Sequence, residues 1–277
     1  MMEQVFIGLV LSTLVAGLAY WRHALSPSGV AGAILVGTLI FGFGGWIWGL
    51  LLITFFFSSS LMSHYRRAEK EQVVQKAAKG SRRDLLQTLA NGAVGAILAV
   101  VFASNPDPLL FAAYLGVMAT VNADTWATEL GVLSQVPPRL ITTGDEVPPG
   151  TSGGVTSLGL WASVAGALLI GAVATALTQL SSLLEGTGLT LKAISYPLLA
   201  VAGGLAGSLF DSLLGATVQG IYYCDLCGKE TERPVHTCGQ EARPLRGWAW
   251  VNNDVVNFAA SLLGGLAAAA LAWLLWK

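Results

Sequence analysis

Eight long apolar segments divide the chain, and they constrain its fold more than any other feature. Each approaches the roughly 20 residues that an α-helix needs to cross a bilayer. Charged residues make up only 11% of the chain, against about 25% in soluble domains. Because backbone polar groups must be paired within hydrocarbon, we predict an all-α polytopic membrane protein with about eight helical segments and six to eight spans. The segments run near residues 3–21, 29–44, 46–62, 84–103, 108–133, 155–180, 192–218 and 252–276.

We expect one membrane domain over residues 1–277, with a basic cytoplasmic segment at 63–83 and a small cytoplasmic Cys/His loop at 219–251. The second and third apolar segments nearly abut at Gly44 and Gly45, so they form either a tight hairpin or one broken element. If they form a hairpin, the longer loops all lie on one side of the membrane. Of the 15 lysines and arginines, all but Lys192 and Lys277 fall on that side. The positive-inside rule then predicts a multi-pass protein whose long loops face the cytoplasm.

Acidic side chains interrupt three of the apolar segments close to this predicted cytoplasmic side. They are Asp124 and Glu129 in the fifth segment, Asp211 in the seventh and Asp254 in the eighth. Small and polar residues in membrane helices often serve only in helix packing. Carboxylates fit that explanation poorly, because gathered carboxylates repel one another unless they are protonated or bridged by a cation. We therefore predict that all four are catalytic and hold Mg²⁺, which prefers oxygen ligands.

Cations and a glycine-rich loop lie next to these carboxylates in the predicted topology. Lys79, Arg82 and Arg83 precede the fourth segment, where they suit phosphate oxygens or form an ordinary positive-inside flank. Asp84 beside them is either a helix-start anion or a partner of these arginines. Loop 144–154 offers backbone amides to an anion, although Thr151 or Ser152 could instead cap the next helix. The predicted phosphate- or nucleotide-binding residues are Lys79, Arg82, Arg83, Asn91, Asn122, Thr151, Ser152, Gly153, Asn253 and Asn257.

All three cysteines lie in the 219–251 loop. Cys224 and Cys227 form a Cys-x-x-Cys pair, and His236 and Cys238 follow as His-x-Cys. These four side chains match the ligand set of a closed tetrahedral zinc site, which is structural because no position remains for water. Reduced thiols without metal and redox chemistry are the alternatives, and a disulfide is disfavoured in the cytoplasm.

Several long motifs resemble the DUF92/TMEM19 integral membrane family. They are residues 122–131, 150–157, 207–216 and 250–258 together with the cysteine loop, and the resemblance covers nearly the whole chain. The family includes phytyl-phosphate kinases of tocopherol synthesis and is related more distantly to CTP-using lipid kinases. The resemblance therefore implies a kinase that transfers a phosphoryl group from a nucleoside triphosphate, with CTP favoured, to an isoprenyl monophosphate such as phytyl phosphate.

The expected cofactors are Mg²⁺, the nucleotide as co-substrate and a structural Zn²⁺. The expected partners are the isoprenyl phosphate and membrane lipids. No nucleic-acid-binding motif is present, and the sequence does not specify the oligomeric state. Two other functions use similar residues. A cation- or proton-coupled transporter also has intramembrane carboxylates, but its site usually lies near the midplane. A lipid nucleotidyltransferase uses the same metal and cations but releases pyrophosphate.

Overall fold

Eight helices of 13 to 28 residues make up most of the described part of the chain, as the sequence predicts. The computed structural model describes residues 2–66, 68–70 and 82–277. Lys79 and most of the predicted basic segment 63–83 lie outside the described residues. The helices are α1 (Met2–Trp21), α2 (Pro27–Leu39), α3 (Trp46–His64), α4 (Leu85–Ser104), α5 (Pro108–Gly131), α6 (Ser157–Leu184), α7 (Tyr196–Thr217) and α8 (Asn253–Leu275).

Seven helical stretches among the described residues are long and apolar enough to cross a membrane. This confirms the predicted class of polytopic helical membrane protein. The stretch that includes α2 extends through a π-helical turn, Ile40–Gly44, and the stretch that includes α7 begins with a 3₁₀ turn, Leu191–Ser195. Helix α5 falls outside the seven, and its C-terminal half contains Asn122, Asp124 and Glu129.

The chain bends sharply at Gly45, between the π-helical turn and α3. Gly45 has a φ of +87°, a conformation that favours glycine. Gly49 then packs directly against the ring of Phe41, so the chain turns within a few residues. Both a tight hairpin and one broken element contain such a turn, and the sidedness of the loops stays a prediction.

Helix α5 lies at the centre of the bundle and packs most extensively against α6, α7 and α8. Ten consecutive residues in its middle, 114–123, are buried. Three glycines, Gly116 on α5, Gly203 on α7 and Gly264 on α8, bring the three backbones into contact. The Thr120 hydroxyl donates a hydrogen bond to the Gly203 carbonyl oxygen at 3.1 Å. Small residues allow this close approach, which drives helix association where lipid supplies no hydrophobic force.

Side-chain caps fix where the helices around the polar loops begin. Asp84 caps α4 in a capping box with Gln87, so its role is that of a helix-start anion. Thr156 caps α6 by accepting a hydrogen bond from the Gly159 amide. Neither Thr151 nor Ser152 is that cap, and loop 144–154 therefore ends before the helix starts. Asn252 caps α8 through the amides of Asp254 and Val255.

The two longer described loops contain short strands that the sequence did not indicate. Strands β1 (Arg139–Leu140) and β2 (Gly154–Val155) pair antiparallel and close the base of the glycine-rich loop. Strands β3 (Ile221–Cys224), β4 (Lys229–Thr231) and β5 (Arg243–Arg246) form an antiparallel sheet with β3 in the middle. The predicted Cys/His loop at 219–251 is thus a small folded unit that joins α7 to α8.

We predict that Gly264→Ala destabilises the bundle, because an added Cβ would collide with the Thr120 side chain and lie 2.7 Å from the Gly203 carbonyl oxygen. Overpacking of this kind costs about 1–3 kcal/mol. Gly17→Ala on α1 is the matched control, since a Cβ there meets nothing within 4 Å. Thermal unfolding in detergent measures both. Equal unfolding temperatures for the two variants would contradict the central packing of α5.

Candidate active site

A cavity of about 930 Å³ opens among the C-terminal ends of α5 and α7, the beginnings of α6 and α8 and the loops beside them. It brings together residues from distant parts of the sequence. All four predicted catalytic carboxylates line it, as do Arg83 and the glycine-rich loop. The predicted site residues that line the cavity are Arg83, Asp124, Glu129, Thr151, Ser152, Gly153, Asp211, Asn253 and Asp254.

Negative charge concentrates around Asp211 on α7. Asp124 of α5 and Glu232 of the Cys/His loop lie close enough for their carboxylates to repel that of Asp211. The Oδ2 atom of Asp211 is buried and has no hydrogen-bond partner within the described part of the chain. A buried, unpartnered carboxylate oxygen is costly, and a second acidic group beside it raises the cost. This part of the cavity therefore suits a cation.

The surroundings of Glu129 differ from those of Asp211. Its Oε2 accepts a 2.6 Å hydrogen bond from the ammonium of Lys70, and its Oε1 accepts one of 2.6 Å from the Ser63 hydroxyl. The Lys70 side chain is 3% exposed and also donates to the Met62 carbonyl oxygen. Both carboxylate oxygens of Glu129 thus have partners within the protein. Asp124 and Glu129, five residues apart on α5, accordingly have different surroundings.

Arg83, two residues before α4 begins, supplies a partly buried cation. Its guanidinium lies 5.3 and 5.4 Å from the ring centroids of Phe55 and Phe56. Burial lowers the pKa of Arg83 to about 10, an effect that the nearby Glu129 carboxylate opposes, so the guanidinium stays charged at neutral pH. Its Nη1 atom is buried and has no hydrogen-bond partner among the residues that the structure describes. A desolvated guanidinium with free donors suits a phosphate group.

The glycine-rich loop is fixed against the end of α7. The Ser152 hydroxyl donates to the Gln219 side-chain oxygen at 2.7 Å, and Arg246 bridges the carbonyl oxygens of Ser152 and Gly215. Within the loop, the amides of Thr151 and Gly154 already donate to backbone carbonyls. The loop is therefore pre-organised at the cavity wall. An anion would use the amides of Ser152 and Gly153, which lie between Thr151 and Gly154.

Four described residues of the predicted set do not line the cavity. Asn122 is fully buried; its amide donates to the Gly166 carbonyl oxygen and accepts from Ser58, so it links α3, α5 and α6. Arg82 is exposed and directs its guanidinium to His23. Asn91 lines a small separate apolar cavity. Asn257 lies one turn beyond Asn253 on α8, and Lys79 lies outside the described residues.

Polar residues that the sequence did not single out also line the cavity, among them Lys70, Gln219, Glu232 and Arg233. Glu232 accepts a 3.0 Å hydrogen bond from the Gln219 side-chain amide, which connects the Cys/His loop to the end of α7. Lys70 comes from a polar segment and the others from a loop, where no helical periodicity shows which side chains point inward.

The four carboxylates are spread over the cavity and do not form a closed cage. Among the described residues, the group of His, Cys, Asp or Glu side chains close enough to share an ion is Cys224, Cys227, His236 and Cys238. Mg²⁺ does not require such a cage, because it usually takes one or two carboxylates and completes its shell with water and substrate phosphates. Asp211, with its free buried oxygen and the neighbouring Asp124, fits that pattern.

The fold and cavity define a polytopic helical membrane protein with a charged pocket at one end of its bundle. The model of the family described as "Integral membrane protein DUF92" matches residues 10–265, and the chain therefore belongs to the DUF92 family. This confirms the family that the motifs resemble. No solved structure matches the chain.

Three relatives show how far the similarity extends. Protein PGR of Arabidopsis thaliana is 32% identical over 274 residues, which cover 94% of this chain and 93% of PGR. An uncharacterized membrane protein of Methanocaldococcus jannaschii is 33% identical over 95% of this chain and 92% of its own length. Protein VTE6, chloroplastic, of Arabidopsis thaliana is 29% identical over 88% of this chain and 64% of that protein.

We predict that Lys70→Met lowers the free energy of unfolding by about 2–3 kcal/mol, between the values for exposed and fully buried ion pairs. The loss arises because the Glu129 carboxylate loses the ammonium that pairs with its Oε2 and keeps the Ser63 hydroxyl on its Oε1. Adding Glu129→Gln should restore part of the stability. Arg139→Met is the control, because the Arg139–Glu146 pair is 61% and 58% exposed and should contribute little. Equal effects of the two single substitutions would contradict the burial of the Lys70–Glu129 pair.

Proposed function

We propose that the protein is a kinase that transfers a phosphoryl group from a nucleoside triphosphate, with CTP favoured, to an isoprenyl monophosphate such as phytyl phosphate. The product is the prenyl diphosphate. One observation carries the proposal: among the described residues, a single cavity contains both a buried carboxylate oxygen without a hydrogen-bond partner, Asp211 Oδ2, and a buried guanidinium nitrogen without one, Arg83 Nη1. A metal ion bound to a phosphate would offer a partner to each atom.

Family membership supports this reaction class. The motifs that resemble the phytyl-phosphate kinases include residues 122–131 and 207–216, and the carboxylates within them line the cavity. The family model spans both motifs. The carboxylates within the motifs that carry the resemblance thus lie in the cavity, where phosphoryl transfer would require charge.

The donor nucleotide is assigned to the acidic wall and the glycine-rich loop. Asp124 and Asp211 would hold Mg²⁺, with Asp254 within the same cavity, and the ion would neutralise phosphate oxygens. Ser152 and Gly153 would bind phosphate through backbone amides, and Asn253 would orient it. Positioning and charge neutralisation are the main requirements of phosphoryl transfer, so a site without a nucleophilic side chain is sufficient.

The acceptor phosphate is assigned to Arg83. Its guanidinium borders both the charged cavity and a small apolar cavity formed by α1, α2, α3 and α4. Apart from Arg83, that second cavity is lined mainly by apolar side chains such as Val36 and Leu52. A lipid phosphate would thus place its head group at Arg83 while its chain lies among the helices.

The chemical step needs no strong general base. An oxygen of the acceptor monophosphate is already anionic at neutral pH, and it attacks the γ-phosphorus of the donor. The bond from the γ-phosphorus to the bridging oxygen breaks, and the nucleoside diphosphate leaves. We place this site on the cytoplasmic side, because the loops around it contain most of the lysines and arginines.

The test is incubation of the purified protein with Mg²⁺, each of the four nucleoside triphosphates and a panel of prenyl monophosphates, followed by mass spectrometry. A prenyl diphosphate and a nucleoside diphosphate support the proposal. Pyrophosphate with a nucleotidyl-lipid would identify a nucleotidyltransferase instead. Nucleotide-independent cation uptake into proteoliposomes, without any diphosphate product, would identify a transporter.

We predict that Asp211→Asn lowers kcat by about 100-fold or more, the usual effect of removing one electrostatic group that stabilises a transition state. Asp107→Asn is the matched control. Asp107 caps the other end of α5 by accepting from the Leu109 amide, and asparagine caps equally well. Equal activity of folded Asp211→Asn and wild-type protein would exclude a role of Asp211 in catalysis.

The sequence pattern treats the adjacent Arg82 and Arg83 alike, whereas in the structure Arg83 lines the cavity and Arg82 contacts His23. We predict that Arg83→Gln lowers kcat/KM for the prenyl phosphate about 10- to 100-fold, because a charge-assisted hydrogen bond contributes about 1.5–3 kcal/mol. Arg82→Gln should have a much smaller effect, because the Arg82 guanidinium is exposed and directed to His23. A larger loss in Arg82→Gln than in Arg83→Gln would reverse the assignment.

A further inference from the structure

Two tight turns of the Cys/His loop face each other. In the first, β3 ends at Cys224 and β4 begins at Lys229, with Cys227 between them. The Gly228 amide donates to the Cys224 carbonyl oxygen at 2.8 Å, and Gly228 has a φ of +62°. Glycine adopts this conformation without strain, so the chain reverses at once and keeps both thiols on one side of the turn.

The second turn presents His236 and Cys238. The His236 amide donates to the Gln240 carbonyl oxygen at 2.9 Å, and the Gly239 amide donates to the His236 carbonyl oxygen at 2.9 Å. His236 is 7% exposed, although it lies in a short surface loop. Burial of a histidine in such a small unit requires a neighbouring group to pair with its ring.

The side chains of both turns converge with the dimensions of a tetrahedral metal site. One potential ligand atom from each of Cys224, Cys227, His236 and Cys238 lies within 4.8 Å of every other. The Cys224 and Cys238 sulfurs are 3.6 Å apart, and His236 Nδ1 is 3.2 Å from the Cys238 sulfur. Zinc–sulfur and zinc–nitrogen bond lengths place the ligand atoms of a tetrahedron roughly 3.5–3.8 Å apart. All three cysteines are free thiols in the structure.

We propose that Cys224, Cys227, Cys238 and His236 bind one structural Zn²⁺ that joins the two turns. Three thiolates and an imidazole are a soft donor set that selects zinc over Mg²⁺. Four protein ligands leave no position for water, so the ion stabilises the loop and takes no part in catalysis. This site is separate from the acidic cavity, and the proposal does not depend on the kinase activity.

The position of the site gives the zinc a structural consequence for the cavity. Glu232 and Arg233 line the cavity and follow directly after β4, between the two turns that provide the ligands. The three strands have only three or four residues each, and Leu226 in the first turn is 71% exposed. A unit with so small a core needs a further crosslink to stay folded. The zinc therefore holds Glu232 and Arg233 at the cavity wall.

The test is metal analysis of the full-length protein, purified in detergent without chelators and supplied with Zn²⁺. We expect about one zinc per chain in the wild type. Cys227→Ser and Cys238→Ser should lose most of it, because each removes a ligand. Thr237→Ala is the matched control, since Thr237 is an exposed residue between His236 and Cys238 that contributes no ligand; it should retain the metal.

A second measurement uses the wild type alone, so it does not depend on the folding of variants. Co²⁺ added to metal-free protein should give the intense visible bands of tetrahedral thiolate coordination. Hydrogen exchange in residues 221–246 should rise when zinc is removed, while exchange in the spanning helices stays the same. Substoichiometric zinc, a disulfide between any two of the cysteines or unchanged hydrogen exchange would overturn the proposal.

Discussion

The close packing of α5 against α7 and α8 is the contact on which the rest of the structure depends. Gly116, Gly203 and Gly264 let three backbones touch, and Thr120 bonds across them. Asp124 follows Thr120 by one helical turn, so the same contact that joins the helices also sets the depth of this carboxylate. Gly207 packs on Thr120, and Asp211 follows Gly207 by one turn on α7. The close packing of α5 and α7 at Thr120 and Gly207 therefore brings Asp124 and Asp211 near each other one turn further along.

Charge balance then divides the cavity into two parts. Lys70 neutralises Glu129 within the protein, so this part of the cavity needs no ligand to balance its charge. Asp211, by contrast, faces two further carboxylates, and Arg83 has a buried nitrogen without a hydrogen-bond partner in residues 2–66, 68–70 and 82–277. Buried polar groups are normally satisfied, and exceptions concentrate at functional sites. The unsatisfied groups have opposite charge, which favours a ligand that contains both a cation and anionic oxygens, such as a metal-bound nucleotide.

Hydropathy was sufficient to predict the helices, and the order of the apolar segments was sufficient to predict that Asp124, Glu129, Asp211 and Asp254 lie at one end of the bundle, where they line one cavity. Helical periodicity could not tell a side chain that faces a cavity from one that faces a neighbouring helix, so Asn122 was predicted to bind phosphate although it links three helices. Periodicity likewise could not predict that, of two adjacent arginines, Arg82 would contact His23 and Arg83 would line the cavity. Lys70, Glu232 and Arg233 escaped prediction because loop conformation, which sequence patterning does not specify, brings them to the cavity.

In the proposed mechanism, one cavity binds both the donor nucleotide and the metal. The most direct measurement is an experimental structure, in lipid nanodiscs, with Mg²⁺, a non-hydrolysable nucleotide and a prenyl monophosphate. We expect metal density at Asp124 and Asp211, nucleotide phosphates along the loop at Ser152 and Gly153, and the prenyl phosphate at Arg83. Nucleotide bound elsewhere on the protein, with this cavity containing only water, would contradict this mechanism.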